Sequence, residues 1–348
     1  MDISDTRAGI CYESSQLANF SHLEPITFAN SRSEPSEKSD RPQSEVTITN
    51  SANHPPKHIL SGHSALKSLF FLRADTAIEK IRRLPRNATL LLDLEDSVAA
   101  EHKARQRTRI NRLFQSGALR GRKTLLRING PDNPTEMCAD IASCLHQDLD
   151  GLLLPMVNCA NDIVEVEQIV TVSEQMLGLE AGHNAFVPLI ERPGAVLRAS
   201  EIAAASDRNV ALSFGHVDYC LEVGAEISEE SVEIPRQMIL LAAKAHQLTA
   251  ISSVFLDLDN NEGFEQQNQR MKSLGFDGCF ALNPRQMHKA LEVYSYSQEQ
   301  IEHSKRVLEA VDQQGSIAKL DGKMIGSPML KMALKIMAEI LEESREAA

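Results

Sequence analysis

The chain has 348 residues, 42% of them apolar, enough for one large domain or two ordinary ones with a sizeable core. A net charge of −12, no Trp and 4 Tyr argue against nucleic acid as a partner, because phosphate-binding charge and stacking platforms are both scarce. No apolar run nears the roughly 18 residues of a membrane helix, the acidic start Met1-Asp2-Ile3-Ser4-Asp5 lacks an export-signal core, and six cysteines without a C-x-x-C pair read as reduced thiols, so a cytoplasmic protein without membrane contact is expected.

Residues 1–62 are rich in Ser, Asn, Pro and Glu, above all over 31–56, with little apolar periodicity. Such a segment cannot bury enough apolar surface to offset its ordering entropy, and a disordered N-terminal tail is expected, with room for a short ordered patch at Ile26-Thr27-Phe28. Across 63–295 eight short apolar runs follow: 68–72, 90–94, 124–128, 151–156, 185–190, 210–214, 250–255 and 278–282. Near-continuous apolar runs suit parallel strands buried on both faces. Helical patterns separate them at 99–114, 134–145, 160–176, 194–205, 235–246 and 263–274. This alternation predicts an α/β fold, a (β/α)8 TIM barrel, with an open doubly wound sheet as the alternative. No Gly-x-Gly-x-x-Gly turn follows the first strand, so a dinucleotide site has no support. Residues 296–348 are expected as a C-terminal helical segment, with helices at 297–311 and 328–344. Met329, Leu330, Met332, Ala333, Ile336, Met337, Ile340 and Leu341 recur there at helical spacing, a packing face suited to a lid or another subunit.

Barrel enzymes carry their chemistry at the C-terminal ends of strands. There the sequence offers Asp93, Glu95 and Asp96 after run two, Arg127 and Asn129 at run three, Glu191 after run five, Asp218 after run six and Asp257 and Asp259 after run seven. Carboxylates gathered at one rim repel unless a cation joins them, and two carboxylates with waters and substrate oxygens suit magnesium. Glu191 and Asp218 are the expected ligands, with the metal acting as a Lewis acid on a carbonyl and Arg127 gripping a substrate carboxylate in bidentate fashion. Each acid also has a plainer reading as a helix cap or surface charge, and Asp96 competes with Ser97 to cap the next helix. Arg127, set among Leu125, Leu126 and Ile128, needs a buried partner, which could be purely structural. His216 is a possible further ligand or an ordinary loop histidine.

Several motifs in order carry a resemblance. Ser68-Leu69-Phe70-Phe71 opens the core; Leu92-Asp93-Leu94-Glu95-Asp96-Ser97-Val98 precedes Lys103 and Arg107; Leu126-Arg127-Ile128-Asn129, Leu154-Pro155, Ile190-Glu191 and Phe214-Gly215-His216-Val217-Asp218 follow. Gly275-Phe276-Asp277-Gly278 then leads to Asn283-Pro284, and Leu320-Asp321-Gly322-Lys323-Met324-Ile325 lies near the end. Over about 66–340 the chain resembles the citrate lyase beta-subunit-like branch of the HpcH/HpaI aldolase superfamily. That resemblance implies a TIM barrel and a Mg2+-dependent carbon–carbon lyase or aldolase, with Mn2+ as a substitute metal. It implies a hydroxy-carboxylate substrate, a 3-hydroxyacyl thioester of malyl, citramalyl or citryl type on coenzyme A. Glu191 and Asp218 would hold the metal, Arg127 would bind the substrate carboxylate, and Glu95 and Asp96 would support catalysis beside it. A homo-oligomer, trimer or hexamer, is implied as well.

Four positions depart from the family pattern. Gly326 stands where a lid acid is expected, Leu72-Arg73 replaces Pro-Gly, Met156 replaces a lysine, and Asn283-Pro284 replaces His-Pro. Of the loop's basic residues Lys80 remains to meet the thioester's nucleotide end. A glycine cannot transfer a proton, so Asp257 or His216 is an expected substitute. Two alternatives stay open: a degenerate member that binds metal and a carboxylate without efficient turnover, and an aldolase on free oxo-acids.

Overall fold

The computed structural model describes residue 60, residues 65–314 and residues 317–347. The predicted tail, including its patch at Ile26-Thr27-Phe28, lies outside the described residues apart from its edge at Leu60.

Eight parallel strands close into a barrel in sequence order, β8 pairing back with β1. They are β1 (Ser68–Phe71), β2 (Thr89–Asp93), β3 (Thr124–Arg127), β4 (Gly151–Leu154), β5 (Ala185–Ile190), β6 (Ala211–Phe214), β7 (Thr249–Ser252) and β8 (Gly278–Ala281). The closed ladder excludes the open-sheet alternative. Alternation along each strand sorts the apolar residues into two cores. Leu69, Leu91, Leu125, Leu153, Val187, Ala211, Ile251 and Phe280 plug the interior. Leu90, Leu92, Leu126, Leu152, Phe186, Leu212, Ala250 and Cys279 face outward under the helices. Both faces are therefore dry, which is why the strands read as unbroken apolar runs.

The helices are α1 (Ile78–Arg83), α2 (Lys103–Gln115), α3 (Pro134–Cys144), α4 (Ala160–Leu177), α5 (Pro193–Leu197), α6 (Ala199–Ala203), α7 (His216–Val223), α8 (Glu229–Ala245), α9 (Asn261–Leu274) and α10 (Pro284–Tyr294). Asn133, Asn260 and Asn283 each accept a main-chain N–H of the turn they cap, relieving part of the unpaired N-terminal donors of α3, α9 and α10. One helix was expected over 194–205; the chain instead breaks at Arg198 between α5 and α6, where the Arg198 side chain turns to bond Asn158. The helix expected from Pro235 starts earlier, at Glu229, because Ser228 caps it and Pro235 is carried inside. Helices α1, α7 and α10 were not anticipated.

Beyond the barrel lie α11 (Gln298–Gln314), a hairpin of β9 (Ala318–Leu320) and β10 (Lys323–Ile325), and α12 (Ser327–Ala347). Val307, Ala310, Ala318, Ile325 and Ala333 form a small core of their own. The apolar stripe of α12 is divided: Ala333 and Ile336 are buried, while Met329, Met332 and Leu341 stay exposed. The described cysteines, Cys138, Cys144, Cys159, Cys220 and Cys279, are all free thiols, and no described helix is long and apolar enough to cross a membrane.

Candidate active site

Asp93 and Arg127 are register partners at the ends of β2 and β3. Each lies two residues past an interior leucine, Leu91 and Leu125, so alternation turns both side chains into the barrel mouth. There Arg127 Nε and Nη2 donate to the two Asp93 oxygens, both at 2.7 Å. Its Nη1 lies 2.7 Å from Glu95 Oε2 and 3.6 Å from Asp96 Oδ2. The guanidinium also sits over Phe71, 5.3 Å from the ring centroid. The bidentate edge expected to face a substrate carboxylate is thus given to Asp93. A guanidinium has five N–H bonds; two are given to Asp93, and the Nη1 end meets Glu95 as an ion pair.

Asp96 caps no helix: α2 is entered through the short turn Ala100–His102, whose first residue has no side-chain cap. Its side chain is 62% exposed, whereas Asp93 and Glu95 are buried. Burial raises Asp93, but the Arg127 hydrogen bonds and charge overrule it and hold this carboxyl below the usual range. Burial pushes Glu95 up to about 8, against the pull of Arg127 and with the charges of Asp96 and Asp93 adding to it. Arg127 is disfavoured by burial yet raised overall by its acidic partners.

Across the mouth, Glu191 follows β5 and is 2% exposed. Its Oε1 accepts the Met156 N–H at 2.7 Å, and Met156 takes a left-handed backbone (φ 55°) to aim that bond. Gly215 makes room: a Cβ there would stand 2.7 Å from Glu191 Cβ. Asp218 lies in the first turn of α7, not on a strand end, where a carboxylate also suits the helix N-terminus. Burial raises Glu191 well above the ordinary value, with Glu95 and Asp218 adding and Arg127 opposing. Burial and the Asp96 charge raise Asp218 too. Asp93, Glu95, Asp96, Glu191 and Asp218 therefore act on one another's charge around a single arginine.

This donor set fits a small divalent cation. Among the described residues no cluster of three or more His, Cys, Asp or Glu forms a metal cage; a cation joined by two of these carboxylates would complete its shell with water and substrate oxygens, as Mg2+ does.

Other expected residues stand elsewhere. Lys80 is exposed in the last turn of α1, while Arg73, His102 and Arg109 line a cleft beside Asp93 and Phe71. Asp257 and Asp259 are exposed in the loop after β7. His216 is buried; burial and Arg236 lower it to about 4, opposed by Glu229, so its charged neighbours are on α8. Sequence reading missed Asp93 as the arginine's main partner: its place two residues past Leu91 marks it as inward-facing, but the pairing itself depends on the β2–β3 register.

A parallel barrel carries its chemistry at this C-terminal mouth, and an acidic cluster around one arginine there suits an enzyme that handles a carboxylate beside a divalent cation. The model of the HpcH/HpaI aldolase/citrate lyase family matches residues 67–284, and the chain belongs to that family. It is 32% identical to the citrate lyase subunit beta of Escherichia coli (strain K12) over 255 residues, 72% of this chain and 84% of that protein. It is 31% identical to the L-malyl-CoA/beta-methylmalyl-CoA lyase of Cereibacter sphaeroides over 244 residues, 64% of this chain and 76% of that one. Among solved structures, a citrate lyase from Burkholderia xenovorans LB400 superposes with a TM-score of 0.71 at 16% identity, covering 80% of this chain and 92% of that chain. The protein CitE from Mycobacterium tuberculosis, solved with magnesium, acetoacetate and coenzyme A, has a TM-score of 0.58 at 24% identity, covering 79% and 98%. These two likenesses speak for the fold.

Proposed function

We propose that the protein is a Mg2+-dependent lyase that splits a 3-hydroxyacyl thioester of coenzyme A, of malyl, citramalyl or citryl type, into an oxo-acid and a shorter acyl thioester. The observation that carries this reading is the surplus of carboxylates over Arg127, with Glu191 buried and raised. The names of the two curated relatives support the substrate class.

In this reading the bond between C2 and C3 breaks. The 3-hydroxyl loses its proton and becomes the oxo-acid carbonyl, while the bonding pair stays on the thioester fragment as an enolate that takes up one proton. Glu191 and Asp218 would hold the metal, and Mg2+, or Mn2+, bound there would supply Lewis-acid polarisation of the substrate oxygen. Arg127 draws the substrate carboxylate with its remaining N–H bonds. Glu95 Oε2 is committed to Arg127 and the Asp96 N–H, so Oε1 is the atom where this chain holds the hydroxyl proton. Asp96 adds charge from the exposed side, and Lys80 is the cation available to the thioester's distal phosphates.

The test is turnover of malyl-, citramalyl- and citryl-CoA with Mg2+. Glu191→Gln and Asp218→Asn should each lose at least about a hundredfold in rate, as removal of one transition-state partner does, and chelator should abolish activity. Full activity in either variant or in excess chelator overturns the reading. Gly326 favours a second reading, binding without efficient turnover; turnover of free oxo-acids alone would favour a third.

A further inference from the structure

Where the β2–β3 ladder ends, side chains take over from it. The last main-chain bond runs from the Leu94 N–H to Arg127 O at 2.9 Å. Past this point the Lys103 ammonium, 8% exposed at the start of α2, donates to Leu94 O at 2.9 Å, Glu95 O at 3.2 Å and Asn129 Oδ1 at 2.6 Å. An ammonium has three donors and no acceptor, and all three are used. Two hold the main chain of the β2 rim, and one holds the side chain just beyond β3. Asn129 completes the tie by donating to Leu94 O at 3.1 Å and to Asp140 at 2.6 Å. Asp140, fully buried, also accepts from the Asn129 main chain at 2.8 Å and from Arg107 Nε at 2.7 Å.

Among the described residues no carboxylate pairs directly with Lys103. A buried ammonium bonded only to neutral oxygens is costly, so an apolar side chain would serve simple packing better. We infer that Lys103 is a positioning residue that fixes the β2 rim against the β3 rim, and thereby sets how Arg127 meets a substrate carboxylate and how Glu95 stands beside it. All its acceptors lie on the β2–β3 side of the mouth. Glu191, just past β5, accepts the Met156 N–H, and Asp218 lies in the first turn of α7; neither is among the partners of Lys103. The inference rests on the lyase reading above for its substrate.

The experiment compares the full-length chain with Lys103→Met and Lys103→Arg. It measures KM and kcat on the thioester substrate, pyruvate affinity in Mg2+ by calorimetry, and Mg2+ affinity without substrate. Lys103→Met should raise KM and the pyruvate Kd about tenfold, the scale of one lost charge-assisted bond, with Mg2+ affinity within about twofold. Lys103→Arg, which keeps charge and donors, should recover most of the loss. Unchanged KM and pyruvate Kd with a lowered Tm overturns the inference, as does a parallel fall of Mg2+ and pyruvate affinity. If Lys103→Met does not fold, Asn129→Ala, which removes one acceptor of Lys103, decides: a raised KM and pyruvate Kd with Mg2+ affinity unchanged supports the inference, and wild-type values overturn it. Wild-type protein that neither binds pyruvate nor turns over any thioester overturns the lyase reading together with this one. Active wild type matched by Lys103→Met overturns this one alone.

Discussion

Arg127→Lys keeps the charge at the barrel mouth and removes its planar geometry, which makes it a sharp probe of the Asp93 pair. Arg127 makes two hydrogen bonds of 2.7 Å to Asp93 and an ion pair of 2.7 Å with Glu95. A lysine ammonium is a single point on a flexible stem and can keep about one of them. Charge-assisted bonds contribute about 1.5–3 kcal/mol each, and stacking on Phe71 adds about 0.5–1 kcal/mol. With the charge retained and part of the network re-formed, a net loss of about 2–4 kcal/mol is expected. In a domain of this size each kcal/mol moves Tm by about 2–4 °C, so scanning calorimetry should show a fall of about 4–16 °C. KM should rise at least about tenfold, because the remaining N–H bonds no longer share a fixed plane. A Tm within about 1 °C of wild type, with KM unchanged, would refute the view that the planar Asp93–Arg127 pair organises the mouth.

Gly215→Ala should abolish Mg2+ binding and destabilise the fold by about 1–3 kcal/mol, as overpacking does, because the new Cβ meets Glu191 Cβ at 2.7 Å; calorimetric Mg2+ titration and urea unfolding check it. Glu174, fully buried, bonds Arg208 Nη1 at 2.8 Å and Nη2 at 2.7 Å. Burial raises its carboxyl, but Arg208 and two main-chain N–H groups bring it below the usual value. A depressed folded value means stability that is present above about pH 4.3, the ordinary glutamate value, and lost as pH falls through the folded value. Glu174→Gln should flatten that acid limb in urea unfolding measured from pH 3 upwards, and an unaltered limb would count against the pair. Gly326→Asp should leave Tm within about 1 °C, as open surface changes do, since a Cβ there meets only Pro328 Cδ at 3.9 Å; turnover gained only in this variant would identify the wild type as a weak catalyst.

The barrel was legible because both faces of every strand are dry, so apolar runs marked all eight strands, β5 to the residue. Runs one, two, three, four, seven and eight extend past their strands, to Leu72, Leu94, Ile128, Met156, Phe255 and Leu282, because the chain stays buried or half-buried after the strand ends. Burial leaves a compositional mark and pairing does not. Helix α1 is short and charged, and α7 begins within a motif read as a loop, so neither gave a clear period. The candidate acids and Arg127 were legible as polar residues closing apolar runs. The identity of the arginine's partner was not, because register between β2 and β3 decides whether Asp93, Glu95 or Asp96 stands opposite, and no local pattern encodes a register between distant strands. Lys103 and Asn129 were visible only as parts of a motif; their bonds cross from α2 to the far side of two strands.

The barrel closes at β8 with β1, and everything after α10 adds nothing to that ladder. The segment from α11 to α12 carries its own core of Val307, Ala310, Ala318, Ile325 and Ala333. Its sequence is thus free to drift without opening the catalytic scaffold. Gly326 falls inside this annex, beyond β10 and before α12, where an exchange of side chain is nearly silent for folding. That one address can change its side chain while the barrel behind it stays the same.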